Sequence, residues 1–419
     1  MKVNSLALAS ALLLTSPFSF AAPIQESLEQ RLEALETHNQ KLTEYIDALS
    51  LQMEQVQFPD TMPVMGESVL GMGPAASKVY AQKEGFTFGG YGEAVFTNFS
   101  GSKVSTSDYL RNVLYAGYKF DHNWIFNSEI EFEHASTGQS GSASVEFAYL
   151  EYQKSEAVNF RAGLLLAPLG FVNEMHEPTT FYGASRPETE RRIIPSTWRE
   201  NGLGLLGNTG GFQYKAYLMT SLDAEGFSEA GLRGGRQKGS KSKSEDLAIA
   251  LRLDWTENPG ALVGLSAYVG EADQDGAGLG SVGMTIFDLH AQYQVDAWRF
   301  RGLFATASVD NTEEIFIASG ADATVVGKRQ DGFYLEAGYD FFHNRASEKN
   351  ESLTAFVRYE ELDTHASVDN ALTSDPSQEE EILTLGVQWA PIDNIVFKVD
   401  YQDYDQAADR MNVSMGYAF

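Results

Sequence analysis

The densest chemistry in the sequence lies between Glu174 and Arg199. It reads Glu174-Met175-His176-Glu177-Pro178, then Phe181, Tyr182, Arg186, Glu188, Glu190, Arg191, Arg192, Ile193, Ile194, Pro195, Trp198 and Arg199. Guanidinium groups pair with carboxylate or phosphate in bidentate fashion, so this spacing suits the capture of small anions. A solvated surface loop with incidental charge is the plainer alternative. Ile193, Ile194, Pro195 and Trp198 argue against it, because such a cluster is too apolar for full exposure. The segment is therefore expected to fold inward and narrow whatever space its scaffold encloses.

Catalysis is not expected. The histidines are His38, His122, His134, His176, His290, His343 and His365, and none sits in a recognisable nucleophile motif. Asp273-Gln274-Asp275-Gly276 resembles part of a calcium loop but lacks the downstream bidentate glutamate, so an acidic loop tip is the better reading. The chain has no cysteine, which excludes disulfides and thiolate metal sites. No cofactor and no metal centre are expected. A formal net charge of −28 makes nucleic acid an unsuitable partner.

The scaffold that must position the charged segment is written in a period of two. Leu247, Ile249, Leu251, Leu253 and Trp255 alternate with Asp246, Ala248, Ala250, Arg252 and Asp254. Similar alternation runs through Phe333–Phe341 and Ile395–Gln402. In a membrane barrel the apolar face meets lipid and the charged face lines the lumen. Trp124, Trp255, Trp298, Trp389 and Tyr401 fall at strand ends, where an interfacial aromatic girdle belongs. The 38 glycines, 19 tyrosines and 26 phenylalanines against 12 prolines fit many long strands.

Sixteen strands are expected, over 86–98, 107–120, 124–136, 143–154, 159–173, 200–208, 211–223, 244–257, 261–272, 284–295, 297–310, 329–343, 351–364, 379–391, 394–404 and 409–419. The fourth and sixth carry the weakest patterning, and fourteen or eighteen strands are the alternatives. Turns after even strands are short, as at Asp121-His122-Asn123, Asn208-Thr209-Gly210, Asn258-Pro259-Gly260 and Ile392-Asp393. Connections after odd strands are mostly longer. The fold class is thus all-β: a 16-stranded antiparallel transmembrane barrel over 86–419, with short turns in the periplasm and long loops outside. The alternating final strand, ending in Phe419, looks like an outer-membrane assembly signal.

Parity also selects lumen-facing residues. The expected cations are Arg111, Lys119, Arg161, Lys215, Arg252, Arg299, Arg301, Arg358 and Lys398, and the expected acids are Glu129, Glu131, Glu133, Asp288, Glu336, Asp340 and Glu360. Opposed basic and acidic walls would select polar solutes, and arginines near a constriction would favour anions. The plainer alternative is that these charges pair with one another and hydrate the wall.

Ahead of the barrel the period is different. Residues 1–21 read as a secretory signal, with Lys2, an apolar run from Leu6 to Phe20, and a cut after Ala21. Over 24–56, Leu32, Asn39, Ile46 and Met53 occupy heptad a, and Leu28, Leu35, Leu42, Leu49 and Val56 occupy d. A periplasmic coiled coil and an oligomer are expected, with a single amphipathic helix packed on a soluble domain as the plainer alternative; heptads alone leave dimer and trimer open. Such a rod could also tether the outer membrane to the cell wall. Residues 57–85, with several prolines and glycines, read as a linker. Acidic loops would bind divalent cations among lipopolysaccharide head groups.

Ala167-Pro168-Leu169-Gly170-Phe171, Asn173-Glu174, Arg186-Pro187, Ile193 through Gly202 (Ile-Ile-Pro-Ser-Thr-Trp-Arg-Glu-Asn-Gly) and the terminal Tyr417-Ala418-Phe419 resemble the phosphate-selective porin O and P family. With the heptads, the resemblance points to its coiled-coil trimeric branch, which includes dicarboxylate porins. It covers roughly 86–419 and implies sixteen strands, a homotrimer in the outer membrane, and passive transport of small solutes. The family's phosphate-selective members line the eyelet with lysines. No such ladder is visible here, so a carboxylate or general small-anion role fits the arginines better.

Overall fold

The computed structural model describes residues 36–41, 43, 68–276, 278–320, 324–345 and 350–419. The chain divides into two units, Met1–Met62 and Pro63–Phe419. In the first, residues 36–41 and 43 are helical and exposed, Asn39 among them. The Thr43 hydroxyl donates to the Asn39 carbonyl at 2.9 Å. The expected signal segment and the heptad positions Leu28, Leu32, Leu35, Leu42, Ile46, Leu49, Met53 and Val56 lie outside the described residues.

The second unit is a closed antiparallel barrel of sixteen strands. They are β1 (Gly85–Phe99), β2 (Thr106–Lys119), β3 (Trp124–Glu133), β4 (Ala143–Gln153), β5 (Asn159–Leu166), β6 (Arg199–Thr209), β7 (Phe212–Thr220), β8 (Leu247–Trp255), β9 (Ala261–Glu271), β10 (Gly283–Val295), β11 (Trp298–Val309), β12 (Arg329–Asp340), β13 (Ser352–Ser367), β14 (Glu379–Ile392), β15 (Ile395–Tyr404) and β16 (Arg410–Ala418). Each pairs with its sequence neighbours. β16 closes on β1, with Ala418 opposite Tyr91 and Arg410 opposite Phe99. The last residue completes the seam. Phe419 N–H donates to the Gly90 carbonyl at 2.8 Å, and Gly90 N–H returns to the Phe419 carbonyl at 2.9 Å. A Cβ at the neighbouring Gly89 would stand 2.8 Å from that carbonyl, so the seam needs a residue without one.

The wall is inside out relative to a soluble protein. On β8, Ile249 is 52% exposed and Leu251 44%, while Ala250 is fully buried and Arg252 and Asp254 face inward. A belt of this kind is stable only in lipid, where every backbone N–H and C=O must find a partner in the wall; closure provides them all. Trp124, Trp298 and Trp389 are exposed near the short-turn end and pack on Tyr152, Tyr339 and Phe397. Connections at that end are short, such as 210–211, 296–297 and 393–394, with 341–351 the longest. The other end carries 167–198, 221–246 and 310–328. Two helices sit in long-end loops, α2 (Glu188–Arg192) and α3 (Thr312–Ala318), after a short α1 (Lys78–Ala81) ahead of the barrel.

One strand departs from the expected bounds by more than a few residues. The fifth was expected to run to 173 but β5 stops at Leu166. Pro168 lacks the N–H a ladder needs, and Gly170 takes φ +62° and turns the chain inward. The second half of the expected linker is also seated inside the barrel. Met72, Ala75, Ala76 and Val79 are buried, and α1 packs on β1, β2 and β3.

Candidate functional site

The interior is organised by the loop between β5 and β6, residues 167–198. Its base is closed by Asn173, whose amide donates to the carbonyls of Ala167 (2.6 Å) and Trp198 (2.9 Å) and accepts from Trp198 N–H (2.6 Å). Its middle is held by Glu190 on α2. One carboxylate oxygen accepts from the N–H groups of Phe171 and Val172, each at 2.8 Å; the other accepts from the Tyr334 hydroxyl at 2.7 Å. Burial pushes the Glu190 carboxyl above the usual range, although these donors oppose the shift. Ile193, Ile194 and Trp198 are fully buried, and Trp198 lies 4.5 Å from the Tyr268 ring. The loop does fold inward, driven by the apolar cluster.

The tip of the loop is strapped to the far wall through its backbone. Lys398 Nζ donates to the carbonyls of Phe181 (2.9 Å) and Gly183 (2.8 Å). Arg299 and Arg301 both donate to the Thr180 carbonyl, at 3.0 and 3.2 Å, and Arg358 donates to that of Ser185 at 3.4 Å. Ala184 N–H donates to Asp400 at 2.6 Å, and Tyr182 stacks on Phe356. This strap divides the interior. Phe181 lines a cavity of about 260 Å³ at the long-loop end, and Tyr182 lines another of about 300 Å³ at the short-turn end.

The other expected lumen cations are mostly paired with acids. Arg161 meets Glu151 at 2.7 Å, Arg199 meets Glu146 at 3.0 Å, Arg252 meets Asp254 at 2.7 Å, and Lys215 meets Glu174. Arg358 also binds Glu360 at 2.8 Å, and Lys119 reaches Gln153 at 3.5 Å. Arg192 donates to Gln378 at 2.8 Å. Of the expected acids, Glu129, Glu131, Asp288, Glu336 and Glu360 are buried inside, whereas Glu133 and Asp340 are half-buried at strand ends. Mutual pairing, the plainer alternative, accounts for most of these side chains individually.

A different set faces the long-loop cavity. Arg111, Arg186, Arg191, Arg233 and Arg410 line it, against Glu93, Asp108 and Glu188. Arg111 meets Glu93 at 2.7 Å, and Arg191 meets Glu188 at 2.5 Å while staying half exposed. Arg186 Nε, Arg233 Nη1 and Arg410 Nε are buried and donate to nothing. Burial, and then the guanidiniums of Arg236, Arg191 and Arg186, push Arg233 down to about 9. It stays charged at neutral pH, among like charges that an anion would relieve. Sequence reasoning named Arg111, Arg186 and Arg191 but missed Arg233 and Arg410. Parity on the last strand would have found Arg410, which shares a face with Asn412 and Ser414. Arg233 lies in the irregular loop after β7, where no period exists to read.

A closed wall, apolar outside and charged within, defines a transmembrane β-barrel of the outer-membrane kind. The chain belongs to one family with an uncharacterised protein of Aquifex aeolicus (strain VF5), to which it is 38% identical over 364 residues, 83% of each chain. No family profile matches the chain. The fold is shared with solved outer-membrane structures at low identity. The loop-deletion form of OmpT, an outer membrane protein of Vibrio cholerae, is 14% identical with a TM-score of 0.52, covering 81% of this chain and 100% of that one. The outer membrane channel DcaP of Acinetobacter baumannii is 12% identical with a TM-score of 0.53, covering 80% and 97%. The anion-selective porin of Comamonas acidovorans is 11% identical with a TM-score of 0.52, covering 80% and 100%.

Proposed function

We propose that this protein is a trimeric outer-membrane porin for small anionic solutes, of the coiled-coil branch of the porin O and P family. The observation that carries the reading is the long-loop cavity, where five arginines face three carboxylates beside an inward loop and three buried guanidinium donors, on Arg186, Arg233 and Arg410, are unpaired. Buried unpaired donors are costly, and a bound anion would remove that cost. The anion-selective porin of Comamonas acidovorans and the trimer form of Vibrio cholerae OmpT share the fold and support the two halves of the proposal.

Carboxylates fit better than phosphate. Lys215 and Lys398 are engaged by Glu174 and by loop carbonyls, so they form no row of free ammonium groups. The segments resembling the family build the loop's frame, through Asn173, Gly170 and Trp198, and leave solute choice to the arginines around it.

The test is single-channel recording in a planar bilayer, with the reversal potential read under a salt gradient. Anion preference is expected, and R186A/R233A should move the reversal potential toward the cation side. Absence of conducting events would sink the porin reading. Cation preference in the unmodified protein would sink its anionic part.

A further inference from the structure

We infer that Glu129, Glu146 and His176 form a binding site for a divalent transition-metal ion of the zinc class, which clamps the inward loop to the barrel wall. The three come from β3, β4 and the loop, and their ligand atoms all lie within 4.8 Å of one another. His176 Nε2 stands 3.2 Å from Glu129 Oε1 and 3.3 Å from Glu146 Oε2. An ion bound at about 2.0–2.1 Å by nitrogen and carboxylate ligands spaces them about 3.3 Å apart along the edges of a tetrahedron.

The hydrogen-bonding around the cluster leaves a positive charge to be supplied. His176 Nδ1 lies 2.9 Å from the Asn173 carbonyl, which only accepts, so Nδ1 carries a proton. In the neutral ring the Nε2 lone pair then faces two carboxylates. Either a second proton or a cation must stand between them. A proton on Nε2 lies along one bond only, and the hydrogen-bond geometry serves Glu129 Oε1. Glu129 Oε2 and Glu146 Oε2 are both buried and hydrogen-bond nothing. Glu129 Oε2 thus has no partner and Glu146 Oε2 has only the 3.3 Å approach of His176 Nε2, and a cation seated among the three buried side chains would satisfy both oxygens.

The surroundings have the form of an outer shell. A backbone carbonyl on the far ring nitrogen fixes which nitrogen faces the ion, as metal-bound histidines commonly require. Arg199 holds the other oxygen of Glu146 at 3.0 Å and is itself fixed by Ser144 Oγ at 2.9 Å. The two carboxylates carry two negative charges, which a divalent ion would cancel, with the Arg199 guanidinium on Glu146 adding one positive charge beside them. The ligands are 17 and 30 residues apart with no motif spacing, so their order along the chain does not announce the site.

The test starts with the full-length protein in detergent, stripped with a chelator, then equilibrated with Zn²⁺ and dialysed. Retention of about one ion per chain is expected, abolished in H176A and E146Q. The variant Asp273→Asn alters a second, more exposed group, Asp246, Glu271 and Asp273, and should retain the ion. Loss in Asp273→Asn with retention in H176A would overturn the assignment. Because H176A removes a buried bridge, Co²⁺ in the unmodified protein gives a second readout. The d–d bands of a four- or five-coordinate site are expected; the hexaaqua spectrum alone would mean the imidazole is only proton-bridged, and the proposal fails. Neither readout depends on whether the barrel conducts.

Discussion

Glu190 fastens the middle of the inward loop, since one carboxylate gathers two backbone N–H groups and a tyrosine hydroxyl. Its folded-state pKa is raised by burial, so between the ordinary carboxylate value and the raised one the folded protein holds a proton the unfolded chain has lost. That stabilisation is present below the ordinary value and is lost as pH rises through the raised one. E190Q should therefore flatten the fall in stability with pH above the ordinary carboxylate range, as measured by urea unfolding across a pH series. Gly170 makes a second test. A Cβ there would sit 2.5 Å from the Glu190 carboxylate, at φ +62°. G170A should displace that carboxylate and cost about 1.5–3 kcal/mol, the worth of hydrogen bonds to a charged group, seen as a lower urea midpoint. The types of these residues were legible in the sequence, but their roles were not. Glu190 was read as part of a charged constriction, and only tertiary contacts reveal it as a buried fastener.

At the scale of the element, the strands were legible because the physics that sets them is local. Alternation, turn residues and the absence of proline within the runs fix β8, β12 and β15 to within a few residues of their observed ends. The expected β5 runs too far because the sequence stays apolar past Pro168, through Leu169, Phe171 and Val172, although these side chains are buried inside and the chain turns inward there. Parity names a side of the wall and cannot name a partner, so it places Arg299 and Arg301 on the inner face without the Thr180 carbonyl they bind. The outward face can be tested directly. Leu251, in the middle of β8, meets lipid, and L251R should destabilise the barrel by about 2–4 kcal/mol. Urea unfolding from lipid vesicles measures this.

For the whole molecule, the least legible feature is how full the interior is. A sixteen-stranded barrel leaves an aqueous lumen, and nothing in the period of residues 68–84 says that they enter it. They do so through pairings that only the closed fold creates. Ala75 N–H donates to Glu177 at 2.9 Å, and Tyr80 joins Glu151 at 2.9 Å and Arg161 at 3.0 Å. Deleting residues 68–81 should raise single-channel conductance and leave the barrel folded, as judged by bilayer recording and heat-modifiable gel mobility; unchanged conductance would mean the segment lies off the solute path.

The strap between the two cavities bears on how such a molecule would respond to voltage. Phe181 borders one chamber, of about 260 Å³, and its neighbour Tyr182 borders the other, of about 300 Å³, so a solute passing between them would have to cross the strap. A membrane potential falls where the resistance lies, and 100 mV does about 2.3 kcal/mol of work on a unit charge that crosses all of it. An anion passing the strap would gain or lose nearly that whole amount in a single hop. The cations that anchor the strap, Lys398, Arg299, Arg301 and Arg358, would sit in the same steep field, tying the shape of the current–voltage curve to all four.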